Sequence, residues 1–169
     1  MKRLLSFIVC FLMVCALIPV LSNNANAMSV EEAEAPSGFV KVSESVQQIS
    51  DDFFLIVTTY EEPVLTRATR YTKSGIRTYR AVNADGNCLY TFTIEATYMI
   101  TSGISSTCTS VTHSYQIYHS DWNYVSGSSY KSGNCAYGSA EFNRRLLGIV
   151  VETRSCDVSL ACDVNGNFS

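Results

Sequence analysis

The chain has 169 residues, 47% of them hydrophobic, with 12 Lys and Arg against 15 Asp and Glu. That length suits one domain with a real core. The acidic balance argues against nucleic-acid binding by counterion release and against whole-protein attraction to anionic lipid.

Residues 1–27 have the layout of a secretory signal peptide. Lys2 and Arg3 form a basic start. An apolar run from Leu4 to Leu21 follows, broken only by Ser6 and Pro19. Ala25-Asn26-Ala27 supplies the small residues that a signal peptidase needs, so cleavage is expected after Ala27. The run approaches the length of a membrane anchor. Pro19 and the polar Ser22-Asn23-Asn24 favour cleavage over retention. The mature chain is then a secreted, extracellular protein with no stable membrane insertion, in a compartment where cysteines oxidise.

Residues 28–66 read as an acidic arm or pro-segment, partly disordered. Residues 28–62 hold eight acids against one lysine, and Pro36-Ser37-Gly38 has little to bury. Residues 40–49 suit a short helix. Phe53-Phe54-Leu55-Ile56-Val57-Thr58-Thr59-Tyr60 is an apolar, β-branched strand that needs cover. The charge then reverses: Arg67, Arg70, Lys73, Arg77 and Arg80 fall in a stretch without an acid. A solvated surface is the plain reading. A dock for an anionic wall polymer or acidic peptide, or a seat for the acidic arm itself, are the sharper ones.

Residues 67–169 read as the main domain, with 66–74 as a polar linker into it. Residues 76–82 form a strand, and Asn83-Ala84-Asp85-Gly86-Asn87 a turn. Residues 88–100 alternate most clearly, with Tyr90, Phe92, Ile94, Ala96, Tyr98 and Ile100 on one face. Residues 109–119 make the next strand, and Trp122 opens a short aromatic one. Ser/Gly-rich residues 126–133 read as a loop. Residues 135–142 alternate again, residues 146–153 read as a buried run, and 156–164 place Cys156, Val158, Leu160, Cys162 and Val164 on one face. Seven or eight strands of this kind predict an all-β fold, an antiparallel β-sandwich or small barrel stapled by disulfides.

Cys10 and Cys15 leave with the signal, so five cysteines remain: Cys88, Cys108, Cys135, Cys156 and Cys162. The odd number leaves at least one thiol free or intermolecular. Cys156 and Cys162 cannot pair. Six residues along one strand separate their Cα atoms by about 20 Å, and a disulfide needs about 4.4–6.8 Å. The favoured pairing is Cys108 with Cys162, with Cys88–Cys135 second and other connectivities open.

Signals for catalysis are thin. No Gly-x-Ser-x-Gly elbow, Cys-x-x-Cys or His-Glu-x-x-His is present. His113, His119 and Asp121 are the one set drawn toward zinc, and Cys135 with His113 or His119 the one drawn toward thiol catalysis. A sheet histidine more often packs or hydrogen-bonds. Asp163-x-Asn165-Gly166-Asn167 resembles part of a calcium loop but lacks its closing glutamate, which favours a surface turn. Tyr118, Trp122, Tyr124 and Tyr130 are candidates for a sugar- or partner-binding platform, set against ordinary sheet composition. No cofactor is implied.

Several short motifs resemble a group of small secreted proteins of Gram-positive bacteria with no assigned function. They are Thr66-Arg67-Ala68, Asp85-Gly86-Asn87 before Leu89-Tyr90-Thr91-Phe92-Thr93, Ser106-Thr107-Cys108-Thr109, Asp121-Trp122, Lys131-Ser132-Gly133-Asn134, and Leu160-Ala161-Cys162-Asp163 before Asn165-Gly166-Asn167. The resemblance supports Cys108–Cys162 and brings no activity; Cys88, Cys135 and Cys156 stand outside its pattern. The chain is thus expected to be a non-catalytic extracellular interaction module, its partner a cell-surface polymer or protein. A small Cys/His enzyme or a bacteriocin-like toxin are the alternatives.

Overall fold

The computed structural model describes residues 35–64 and 68–169. The expected leader with its cleavage point at Ala27, the first acids of the arm, and Thr66-Arg67 lie outside the described residues. Eight strands follow in order: β1 (Val40–Ser50), β2 (Phe53–Glu61), β3 (Arg70–Asn83), β4 (Cys88–Thr101), β5 (Ser105–Ile117), β6 (Trp122–Ser132), β7 (Cys135–Leu146) and β8 (Ile149–Ala161). They form two sheets, β1-β2-β3-β4-β5 and β6-β7-β8. Every pairing is antiparallel and joins neighbours in sequence. The all-β class and antiparallel pairing expected from the period-two patterns are found.

That period decides which side chains enter the core. On β4, Tyr90, Phe92, Ile94, Ala96, Tyr98 and Ile100 are buried, while Glu95 between them is exposed. On β8, Cys156, Val158 and Leu160 are buried between exposed neighbours. The two sheets contribute to one core. Tyr90 stacks on Phe142 at 4.0 Å. Gly138 lets β7 approach β4 closely: a Cβ there would lie 2.4 Å from Ile94 and 3.0 Å from Phe92. Along β5 and β6 the sheets meet largely through side chains, with Tyr115 stacked on Tyr124 at 3.7 Å and His113 Nδ1 3.0 Å from Ser129 Oγ.

Five expectations are corrected. Residues 40–49 are strand β1, not helix. The apolar β2 carries ladder groups on both edges, and β1 pairs with one while β3 pairs with the other. The arm therefore does not stand apart from the domain at residue 67: β2 is internal to the sheet, and Phe53 and Leu55 belong to the core. Arg70–Ser74, expected in a linker, are the first residues of β3.

The Ser/Gly-rich segment after Val125 is strand, paired with β7 through Ser132. Small residues suit its crowding. A Cβ on Gly127 would lie 2.6 Å from the Tyr124 hydroxyl and 3.0 Å from the Ser139 carbonyl.

The apolar run at 146–153 is not buried. The chain reverses at Leu147-Gly148, where φ is 52° and 83°, and the run becomes the exposed tip of the β7–β8 hairpin.

Two turns share one device. Asn83 Oδ1 accepts the backbone N–H groups of Asp85 (3.1 Å) and Asn87 (2.8 Å). Asp163 Oδ1 accepts those of Asn165 and Asn167, both at 2.8 Å. A left-handed glycine, Gly86 or Gly166, completes each. The Asp163 carboxylate is thus spent on its own turn, as the surface-turn reading expected.

Candidate functional site

One end of the domain holds a cavity of about 290 Å³. Each wall comes from a different strand connection or strand end. The β1–β2 turn gives Asp52, the β3–β4 turn gives Asn83 and Asp85, and the β5–β6 link gives His119. Arg144 of β7 and Glu152 and Arg154 of β8 close the other side. Phe53 and Trp122 are the rings that line it, their centroids 6.2 Å apart.

Arg154 lies 4.8 Å over the Phe53 ring, and its Nη2 pairs with Glu152 Oε1 at 2.6 Å. Trp122 is only 4% exposed and sits 4.9 Å from Tyr90. It is fixed by the core and serves as rigid lining. His119 Nδ1 accepts the Asp121 N–H at 3.2 Å and stands 3.9 Å from that residue's carboxylate. The result is a small, mixed-charge pocket with aromatic walls, fitted to a polar ligand that carries charge.

The sequence candidates fall in several places. The tyrosine platform does not assemble. Trp122 is in the pocket, Tyr124 stacks on Tyr115, and Tyr130 stacks on Tyr137 at 4.9 Å, lining a separate surface hollow with Asp157. His119 and Asp121 are neighbours, but His113 lies six residues away and faces Ser129. Among the described residues no three metal-ligating side chains converge. Cys135 opens β7 at the end opposite His119, its Sγ donates to Asn134 Oδ1, and His113 Nδ1 faces Ser129 Oγ, so the described contacts join Cys135 to neither histidine.

The basic stretch is partly absorbed by the fold. Lys73 pairs with Glu61 at 2.9 Å and donates to the Gly166 carbonyl, while Arg77 donates to Thr59 and to the Ser159 carbonyl.

All five cysteines of the described chain are free thiols. Cys88 and Cys135 stand at opposite ends. Cys88 opens β4 beside Val82, while Cys135 lies by Tyr98, ten residues further along β4, which is about 33 Å of strand. Their pairing is corrected on that ground. Cys108 and Cys162 lie on the same side of the core, and the thiol that acts on Cys108 is that of Cys135. Both are buried around Tyr98, and their N–H groups donate to the successive carbonyls of Gly133 and Asn134.

Burial raises the pKa of all four interior thiols: Cys88 to about 11, Cys156 to about 12, and Cys108 and Cys162 upward from the ordinary value. None of these four is a thiolate at neutral pH, the opposite of what a nucleophile needs.

The sequence singled out Trp122, His119 and the Asp85 turn without linking them. It missed Asp52, Arg144, Glu152 and Arg154, whose only signal was charge beside strand ends. Comparison with protein-family models, with curated proteins and with solved structures finds no match to the chain.

Proposed function

We propose that the chain is a secreted, non-catalytic interaction module that binds a charged cell-surface polymer, with the cavity around Trp122 as its binding site. The observation that carries this reading is the cavity's composition. Rigid aromatic lining suits the face of a sugar ring, and flanking Arg, His and carboxylate groups suit charged substituents. The separate surroundings of Cys135, His113 and His119 weigh against the cysteine-enzyme alternative, because a nucleophile needs its base within hydrogen-bond reach.

The leader pattern ending at Ala27 supports export. The two sheets around one core support a β-sandwich rather than a small barrel. The place of Cys108 and Cys162 about Tyr98 supports a disulfide between them after oxidation. The likeness to secreted Gram-positive proteins points to the wall of such a cell as the surface engaged.

Binding of the purified protein to isolated peptidoglycan with its attached anionic polymers tests the site. Arg144→Ala and Arg154→Ala should each weaken binding about tenfold, the effect of one lost charge-assisted contact. Full retention by both variants would place the interaction elsewhere. Intact mass of the exported chain tests the leader and the bridge together.

A further inference from the structure

The β7–β8 hairpin has an apolar tip with no counterpart in the core. Leu146, Leu147, Ile149, Val150 and Val151 are all exposed, Leu147 completely so at 102%. Leu147 is also the one non-glycine among the described residues in the left-handed region, with φ +52°. A two-residue hairpin loop with positive φ at both positions is the natural place for Asn-Gly. A bulky apolar residue there is strained and gains nothing from burial, so folding alone does not explain it.

We propose that this tip inserts into the interfacial region of a bilayer rich in anionic phospholipid. Three observations favour lipid over a protein partner. Ile149, Val150 and Val151 are consecutive strand residues, so they point to alternate faces of the ribbon, and all three are exposed at 69%, 46% and 52%. A protein surface covers one face; a fluid acyl layer surrounds both faces and the tip. Arg144 and Arg145 lie directly below Leu146, and among the described residues no carboxylate reaches ion-pair distance of either. At about 3.3 Å per residue, Arg145 stands about 7 Å behind Leu147. That matches the depth at which apolar side chains enter the acyl boundary while basic ones stay at the phosphates. The attraction is local to the hairpin, so it is compatible with the acidic balance of the chain. It rests on the apolar tip and the arginines behind it, of which Arg144 also lines the pocket.

The test uses the full chain carrying Leu147→Trp and vesicles of phosphatidylcholine with one-third phosphatidylglycerol, some of it brominated on the acyl chains. Trp122 is buried and gives a constant background. The tryptophan at position 147 should shift to the blue and be quenched by the brominated lipid; one introduced by Ser132→Trp, at the other end of β6, should not. Because the Leu4–Leu21 run can itself hold the chain to vesicles, quenching at a defined position decides the matter rather than sedimentation. In addition, Leu147→Asn, which suits positive φ, should keep or raise Tm, and the fraction of hairpin in contact with lipid should fall about tenfold, as loss of one buried leucine requires. That fraction is read through a fluorophore on Ile149→Cys. Position 147 left unquenched, equal quenching at 132, or a lipid-free oligomer that Leu147→Asn dissolves would each overturn the proposal.

Discussion

The hydroxyl of Tyr98, inward on β4, donates to the backbone carbonyl of Leu160 on β8, 62 residues away in sequence. Tyr98 has no exposed surface, so neither group has water as a substitute. Tyr98→Phe should therefore cost about 1–3 kcal/mol, the usual result of leaving a buried acceptor unpaired. Urea unfolding that shifts the midpoint at constant slope is the expected outcome. An unchanged midpoint would show that the bond contributes nothing net.

The same burial sets a pH limit. Desolvation raises the phenol pKa of Tyr79, Tyr90 and Tyr98. The unfolded chain releases these protons near pH 10, while the folded one holds them. Above pH 10 the folded state thus binds more protons, and stability falls as pH rises. Equilibrium unfolding between pH 8 and 11 should show that decline, and Tyr98→Phe should make it shallower.

Gly138 is tested by adding one methyl. Its Cβ would lie 2.4 Å from the Ile94 side chain and 3.0 Å from Phe92. Gly138→Ala should destabilise by about 1–3 kcal/mol through overpacking. Paired with Ile94→Ala, which opens space at the same point, the two costs should sum to less than additivity. Strict additivity in the double-mutant cycle would mean that the sheets separate rather than clash.

The strands with a buried face opposite a polar one were legible, because alternation alone fixes β4 and the second half of β8; the expected strand over 156–164 ends at Ala161 and begins at Ile149. β1 was not: nearly all of it is exposed, so no face is selected, and only the unpaired edge of β2 calls for it. Leu146–Val151 misled for the reverse reason. An apolar run reads as core, and Leu147 carries no turn signal although it occupies a turn. The cavity was illegible because its walls come from residues as distant as Asp52 and Arg154, which only the register of both sheets brings together.

Asp163 makes the closing turn depend on acid. The Asn167 N–H, then the Asn167 side-chain amide, hold its carboxyl below the ordinary range. A depressed carboxylate pKa contributes stability that is complete above the unfolded value, about 3.9, and lost as pH falls through the folded one. Asp163→Asn removes that titration while keeping an acceptor for the backbone. Its stability should vary less than the parent's between pH 4.5 and 2. Parallel curves for the two proteins would show that the turn does not sense acid.

The cysteine positions limit oxidation to one internal bridge. Cys156 sits mid-core against Tyr79 and Tyr90, and Cys88 lies near Arg80 at the cavity end. Neither has another cysteine within bonding reach along its strand. Cys108, Cys135 and Cys162 gather about Tyr98, and three thiols make at most one disulfide. Alkylating the oxidised protein after unfolding, without reductant, should therefore label at least three of the five, always including Cys88 and Cys156. If Cys88 or Cys156 were found in an internal bridge, the strand register that separates them from the other three would be wrong, because no side-chain movement spans that distance.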